Sequence, residues 1–191
     1  RAARLMIRKA LLAACLPLAA CAHAQDHMSH GDPSDAPDPS IVDAMPKASG
    51  EVINGEGAVI GALSVIEGPH GSMLEVTLEP GSLTPGWHGL HLHQVGDCSD
   101  LGVFKKSGGH LGLIPNGHGL LNPLGPEIGD VPNIWAAADG SAGYEAFTPY
   151  ITIADLADED GTAMIIHANR DDHISQPIGG AGPRVACSVI R

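Results

Sequence analysis

Eight short runs of alternating apolar and polar residues, each closed off by glycine or proline, constrain this chain more than any other feature. They occupy residues 51–54, 58–67, 71–78, 87–93, 133–138, 143–148, 162–168 and 184–190. A period of two buries one face of a strand, and no long segment carries the 3.6-residue period of a helix. The fold class expected is therefore all-β, a sandwich or barrel. The 25 glycines and 15 prolines supply the turns that such a fold needs.

Two intervals, 94–132 and 169–183, carry no strand pattern. Loops of that length in a compact domain usually serve function, and each contains a histidine or directly follows one. The acidic run DLADED (residues 155–160) reads as a solvated loop.

The chain opens with a basic stretch (Arg1, Arg4, Arg8, Lys9) and an apolar run over residues 10–20 that is too short to span a bilayer. Residues 1–24 are thus expected to be an export signal peptide. Two cleavage readings compete. Ala22-His23-Ala24 before Gln25 resembles a signal-peptidase site, whereas Leu18-Ala19-Ala20-Cys21 resembles a bacterial lipobox that would lipidate Cys21 and attach the protein to a membrane. Residues 25–48 combine Asp, Ser and Pro without apolar periodicity and are expected to be a flexible linker, which leaves 49–191 as the folded domain. The localisation expected is the periplasm or cell envelope. There, Cys98 and Cys187 remain as core cysteines and read as one disulfide.

Beyond residue 24, six cations face 22 acids, a net charge of −16. A nucleic-acid partner held by phosphate neutralisation is excluded on that balance, and an anionic substrate needs a local positive focus. Homodimer formation stays open, because Trp87 and Trp135 sit at strand positions that suit either core or interface.

His91 and His93 are one residue apart on an expected strand, so both rings point to the same face. Alone, such a pair is as readily two core or surface histidines. His110 and His118 flank a turn in GGHLGLIPNGHG (residues 108–119), Asp130 follows a glycine, and His167 ends an apolar strand. If the long loop folds back, these five histidines and a carboxylate form a nitrogen-rich metal site, and imidazole suits copper and zinc.

These residues resemble the copper/zinc superoxide dismutase family. The resemblance rests on GLHLHQVGDCS (89–99), SGGH (107–110), His118, Gly129-Asp130, His167 and GGAGPRVACSVI (179–190), and it covers essentially the whole domain. The five-residue step from His93 to Cys98 is more similar to the bacterial periplasmic branch. The resemblance implies an eight-stranded Greek-key β-barrel with two long functional loops. It implies copper held by His91, His93, His110 and His167, and zinc held by His110, which bridges, together with His118 and Asp130. Asp171 matches the carboxylate that links a copper histidine to a zinc histidine, Arg184 matches the arginine beside copper, and Cys98 and Cys187 match the family disulfide.

One position departs from that pattern. Three residues before Asp130, where the family has its third zinc histidine, this chain has Glu127. Zinc accepts carboxylate oxygen, so two expectations stand: Glu127 completes the zinc site, or the site is weak and the enzyme runs on copper alone. His88 and His173 match no ligand position and are read as surface histidines or neighbours of ligands.

The implied reaction converts superoxide to dioxygen and hydrogen peroxide, with His110 as the ligand that detaches and carries a proton. Arg184 supplies positive charge at the metal, and Lys105, Lys106 or Arg170 are candidates for steering the anion. The alternative is a periplasmic copper sink or donor of the same fold without turnover, to which His27, Met28 and His30 would suit a metal-capturing role. Arg184 favours the enzyme, since storage needs no anion-attracting cation.

Overall fold

A computed structural model describes residues 38–191. Nine strands form one antiparallel sheet: β1 (Lys47–Asn54), β2 (Val59–Gly68), β3 (Gly71–Leu78), β4 (Gly86–His88), β5 (Leu90–His93), β6 (Ile134–Ala136), β7 (Ala142–Thr148), β8 (Thr162–His167) and β9 (Arg184–Ile190). Their order across the sheet is β4-β6-β7-β3-β2-β1-β9-β8-β5. The two edge strands, β4 and β5, are separated in the chain by Gly89 alone. One residue cannot span an open sheet, so the sheet curls until its edges meet in a nearly closed barrel.

That junction corrects the expected count of eight strands. Residues 87–93 are two strands rather than one, because the chain changes partners at Gly89: Trp87 pairs with Trp135 of β6, while His91 pairs with Ile165 of β8. The backbone of Gly89 turns to the other edge, donating to the carbonyl of Asn169 at 2.8 Å and accepting from the amide of His167 at 2.8 Å.

Alternation sorts side chains as the sequence pattern requires. On β3, Leu74, Val76 and Leu78 point into the barrel, facing Leu63 and Val65 of β2, Leu90 and Leu92 of β5, and Met164 and Ile166 of β8. Each such side chain contributes about 1.5–3 kcal/mol by leaving water. All six residues of β8 are buried, since its outer face is covered too: Ala163 and Ile165 pack there with Phe104, Cys98 and Cys187 in a second, smaller core. Cys98 and Cys187 are disulfide-bonded across 89 residues.

Two local readings are adjusted. β1 starts at Lys47, within the stretch expected to be linker, and a 3-10 helix over Pro39–Ala44 precedes it, capped by Asp38, whose carboxylate accepts from the Ser40 amide at 2.9 Å. The acidic run begins inside a one-turn helix, α1 (Ile153–Leu156), rather than in a loop. A capping box between Thr152 and Asp155 starts this turn, and buried Leu156 anchors it. The regions of the expected signal peptide, of Cys21 and of His27, Met28 and His30 lie outside the described residues.

Candidate metal centre

The site is built on the edge strand β5. Leu90 and Leu92 enter the barrel core, so His91 and His93 face outward, and all four are buried. As an edge, β5 presents unpaired backbone groups, and the long loop fills them. Gln94 donates to the carbonyl of Gly109 (3.0 Å), Leu111 to that of Leu92 (2.8 Å), and Leu92 to that of Gly129 (2.9 Å). Bridges pair His93 with His110 and His91 with Asp130. Gly129 is required at this approach, because a Cβ there would strike the carbonyl oxygen of Leu92.

Five ring nitrogens are buried without a hydrogen-bond partner among the described residues: His173 Nδ1, and four that converge, His91 Nδ1, His93 Nε2, His110 Nε2 and His167 Nε2. Unpaired buried polar atoms are rare and call for a reason. The opposite nitrogen of each ring is engaged. His91 Nε2 donates to Asp171 Oδ2 (2.7 Å), His93 Nδ1 to the carbonyl of Gly108 (3.0 Å) and His167 Nδ1 to that of Gly182 (2.8 Å). These bonds fix tautomers that leave the unpaired nitrogens as lone-pair donors. Burial pushes His93 down to about 2 and His167 to about 3, and takes His91 to about 4 against the pull of Asp171. Neutral imidazoles converging in this way fit copper. Ligand atoms of His91, His93 and His167 lie within 4.8 Å of one another, and the His91 and His110 ring centroids are 4.3 Å apart.

The second cluster begins on the far side of His110, whose Nδ1 lies 2.8 Å from Glu127 Oε2 and 3.2 Å from Asp130 Oδ1. Asp130 Oδ1 also accepts from His118 Nδ1 at 2.8 Å. Ligand atoms of His110, His118 and Asp130 lie within 4.8 Å of one another, and Glu127 reaches the group through His110, a set of nitrogens and carboxylates that suits zinc. Glu127 Oε1 takes the amide of Ile114 at 3.0 Å, which aims Oε2 at His110. Burial works against charge on His118, but the carboxylates on both its nitrogens push it up to about 10. Burial also opposes charge on Asp130 and Asp171, yet histidine hydrogen bonds hold both carboxyls well below the usual range.

Asp171 joins the two clusters, with Oδ2 on His91 Nε2 and Oδ1 on His118 Nε2 at 3.3 Å. Arg184 lies beside them. Its Nη1 donates to the carbonyl of Phe104 (2.6 Å) and to Ser107 Oγ (2.8 Å), and its Nη2 to the carbonyl of Gly108 (2.8 Å). The arginine lines two adjoining pockets, one with His93 and His110 and the other with His167 and Lys105. Lys106 turns elsewhere, its Nζ on Ser99 Oγ at 3.0 Å.

Several contributors escape the sequence. Asn133 clamps Asp171 from both sides, donating to its carbonyl and accepting from its amide, each at 2.9 Å. Gln176 does the same for His118, at 2.8 and 3.2 Å. A lone amide residue many positions from its partner leaves no signal in spacing. His88 is buried rather than superficial, with its ring nitrogens 2.7 Å from the carbonyl of His167 and 2.8 Å from that of Thr84. His173, with φ of 62°, accepts from Asn133 and donates its amide to Asp171.

Comparison with known proteins agrees with this geometry. The profile of the copper/zinc superoxide dismutase (SODC) family matches residues 59–190. A superoxide dismutase [Cu-Zn] of Caulobacter vibrioides is 46% identical over 151 residues, covering 75% of this chain and 85% of its own. Among solved structures, a SOD-like protein from Bacillus subtilis superposes with a TM-score of 0.68 at 30% identity, over 74% of this chain and 96% of that one. Cu/Zn superoxide dismutase from Brucella abortus gives a TM-score of 0.64 at 27% identity, over 76% and 100%.

Proposed function

This chain belongs to the copper/zinc superoxide dismutase family, and from that membership we propose how its own residues divide the work of the reaction. It is an oxidoreductase that converts superoxide to dioxygen and hydrogen peroxide, with copper and zinc as cofactors. The observation that carries the assignment of residues is the set of four unpaired, buried ring nitrogens on His91, His93, His110 and His167. These four would hold copper. His110 Nδ1, His118 Nδ1, Glu127 and Asp130 would hold zinc, the two histidines giving up their Nδ1 protons to do so. Bound copper would supply the one-electron redox chemistry of the two half-reactions.

The rest is done by the protein. Arg184 presents the N–H groups not engaged by the 104–108 turn to an incoming anion, countering the repulsion of a domain with excess negative charge. His110, once its Nε2 is free of copper, would hold a proton there and deliver it to the reduced oxygen species, general acid catalysis by a ring whose orientation Glu127 and Asp130 fix. Asp171 keeps His91 and His118 in register. A copper store has no use for a guanidinium beside the ligand histidines, which favours turnover over the sink or donor reading.

Lys105, which shares a pocket with His167 and Arg184, extends the positive focus, and Lys106, tied to Ser99, does not. Copper- and zinc-loaded protein is expected to consume superoxide at a rate that falls with ionic strength. Lys105→Ala should lower that rate and flatten its salt dependence, while Lys106→Ala leaves both alone. An unchanged salt profile in Lys105→Ala removes this residue from steering.

Export through residues 1–24 and a linker between that segment and the folded domain belong to the same proposal. Mass spectrometry of the mature N-terminus separates a lipidated Cys21, and with it membrane attachment, from a start at Gln25. Self-association is supported by Trp87 and Trp135, which stack edge to face at 5.0 Å on the edge strand β4 and its neighbour and are about half exposed. A sedimentation coefficient unaltered by Trp87→Ser would count against a homodimer through that face.

A further inference from the structure

Phe104 is the odd residue of the long loop. Its φ of 50° places a bulky aromatic side chain in the left-handed region, which glycine and short polar residues enter more readily. Such a conformation persists where the surroundings over-determine it, and here they do. The ring is wholly buried in the small core with Ala163, Ile165 and the Cys98–Cys187 disulfide. Its amide donates to the carbonyl of Asp100 at 3.0 Å.

The turn that follows is turned toward the metal site. The Phe104 carbonyl accepts from Arg184 Nη1 and from Ser107 Oγ (2.8 Å). The Gly108 carbonyl is shared, accepting from Arg184 Nη2 at 2.8 Å and from His93 Nδ1 at 3.0 Å. One five-residue turn therefore sets both the guanidinium and a copper-site histidine, and the buried ring is what seats that turn.

We propose that Phe104 is a positioning residue for Arg184: its ring, wedged into the disulfide core, holds the 104–108 carbonyls so that the guanidinium sits at a fixed place relative to His93. The inference rests on the reading of Arg184 as the anion-attracting group. Both Nη1 hydrogens and one on Nη2 are engaged by the turn, so the remaining N–H groups face the anion only while the turn is seated. A displaced turn moves the positive charge without removing it.

The test uses the full chain loaded with copper and zinc, and azide as a small anionic probe read from the copper absorption spectrum. Arg184→Ala should weaken azide binding about tenfold, Phe104→Ala by nearly as much, and Phe104→Leu, which refills part of the core, by about threefold. The spectrum without azide should stay that of the parent protein in Arg184→Ala and shift in the Phe104 variants, since the same turn holds His93 Nδ1. In the reduced, diamagnetic protein the separate Nη resonances of Arg184 should merge in Phe104→Ala, a sign of a guanidinium free to rotate. If Phe104→Ala fails to fold, the leucine variant carries both readouts. Azide binding and Arg184 resonances unchanged in the Phe104 variants, with Arg184→Ala still weakened, overturn the proposal. Azide binding indifferent to Arg184→Ala overturns the reading beneath it.

Discussion

Asp171→Ala is expected to lower the affinity for copper and for zinc together, each by about 10- to 100-fold. The carboxylate is buried, and each of its oxygens holds the outer nitrogen of a ring from a different cluster, His91 on one and His118 on the other. Oδ1 also takes the His173 amide at 2.6 Å. Truncation leaves two buried N–H groups unpaired and frees both rings to change tautomer, which costs the site its preset lone pairs. Asn133 would still clamp the backbone at 171, so the loop keeps its path and the loss falls on ligand orientation. Asp171→Asn separates the contributions: its amide oxygen can serve one ring, while its NH2 group faces the other as a donor against a donor. Competition with chelators of known strength reads both affinities. A fall confined to one metal would mean that Asp171 serves one site and does not link them.

Removal of the disulfide carries the second large effect. Cys98 and Cys187 close a loop of 89 residues across a Cα separation of 5.9 Å, and in the chain-entropy account such a closure stabilises the fold by about 4 kcal/mol. Cys98→Ala/Cys187→Ala should lose an amount of that order in urea unfolding. The same variant should release metal to a chelator faster, because the disulfide forms the floor on which Phe104 rests and the segment from Gly108 to His110 follows directly. Lower stability with unchanged metal release would reduce the disulfide to a staple of the fold.

What the sequence makes legible is local or periodic. The H-x-H pair on β5 is readable because a strand alternates, and the outward face of His91 and His93 follows from the inward face of Leu90 and Leu92. The dense motifs around His110 and Arg184 give a resemblance to the family that the profile match over residues 59–190 bears out. What stays hidden depends on tertiary partners. Gly89 gives no sign that the chain changes partner strands there, so two strands read as one. Asn133 and Gln176 act across 38 and 58 residues on the backbone of Asp171 and His118, where neither spacing nor residue type points to a partner. His88 reads equally as a surface histidine or a neighbour of ligands until the barrel closes and brings the carbonyl of His167 to its ring. Nothing in the sequence marks Phe104, since a left-handed φ at phenylalanine has no signature there.

Glu127 stands where the family resemblance implies a third zinc histidine, and its geometry supports a ligand rather than a gap. Oε2 lies 2.8 Å from His110 Nδ1, and Oε1 is held by the Ile114 amide. The most direct test is the metal content of the purified, dialysed protein, set beside that of Glu127→Ala. Two imidazoles and two carboxylates predict about one copper and one zinc per chain in the parent protein, and copper without zinc in the variant. A parent protein that keeps copper and turns over superoxide with no zinc at all would contradict the account, leaving a copper enzyme whose second cluster is only a hydrogen-bonded support for His110.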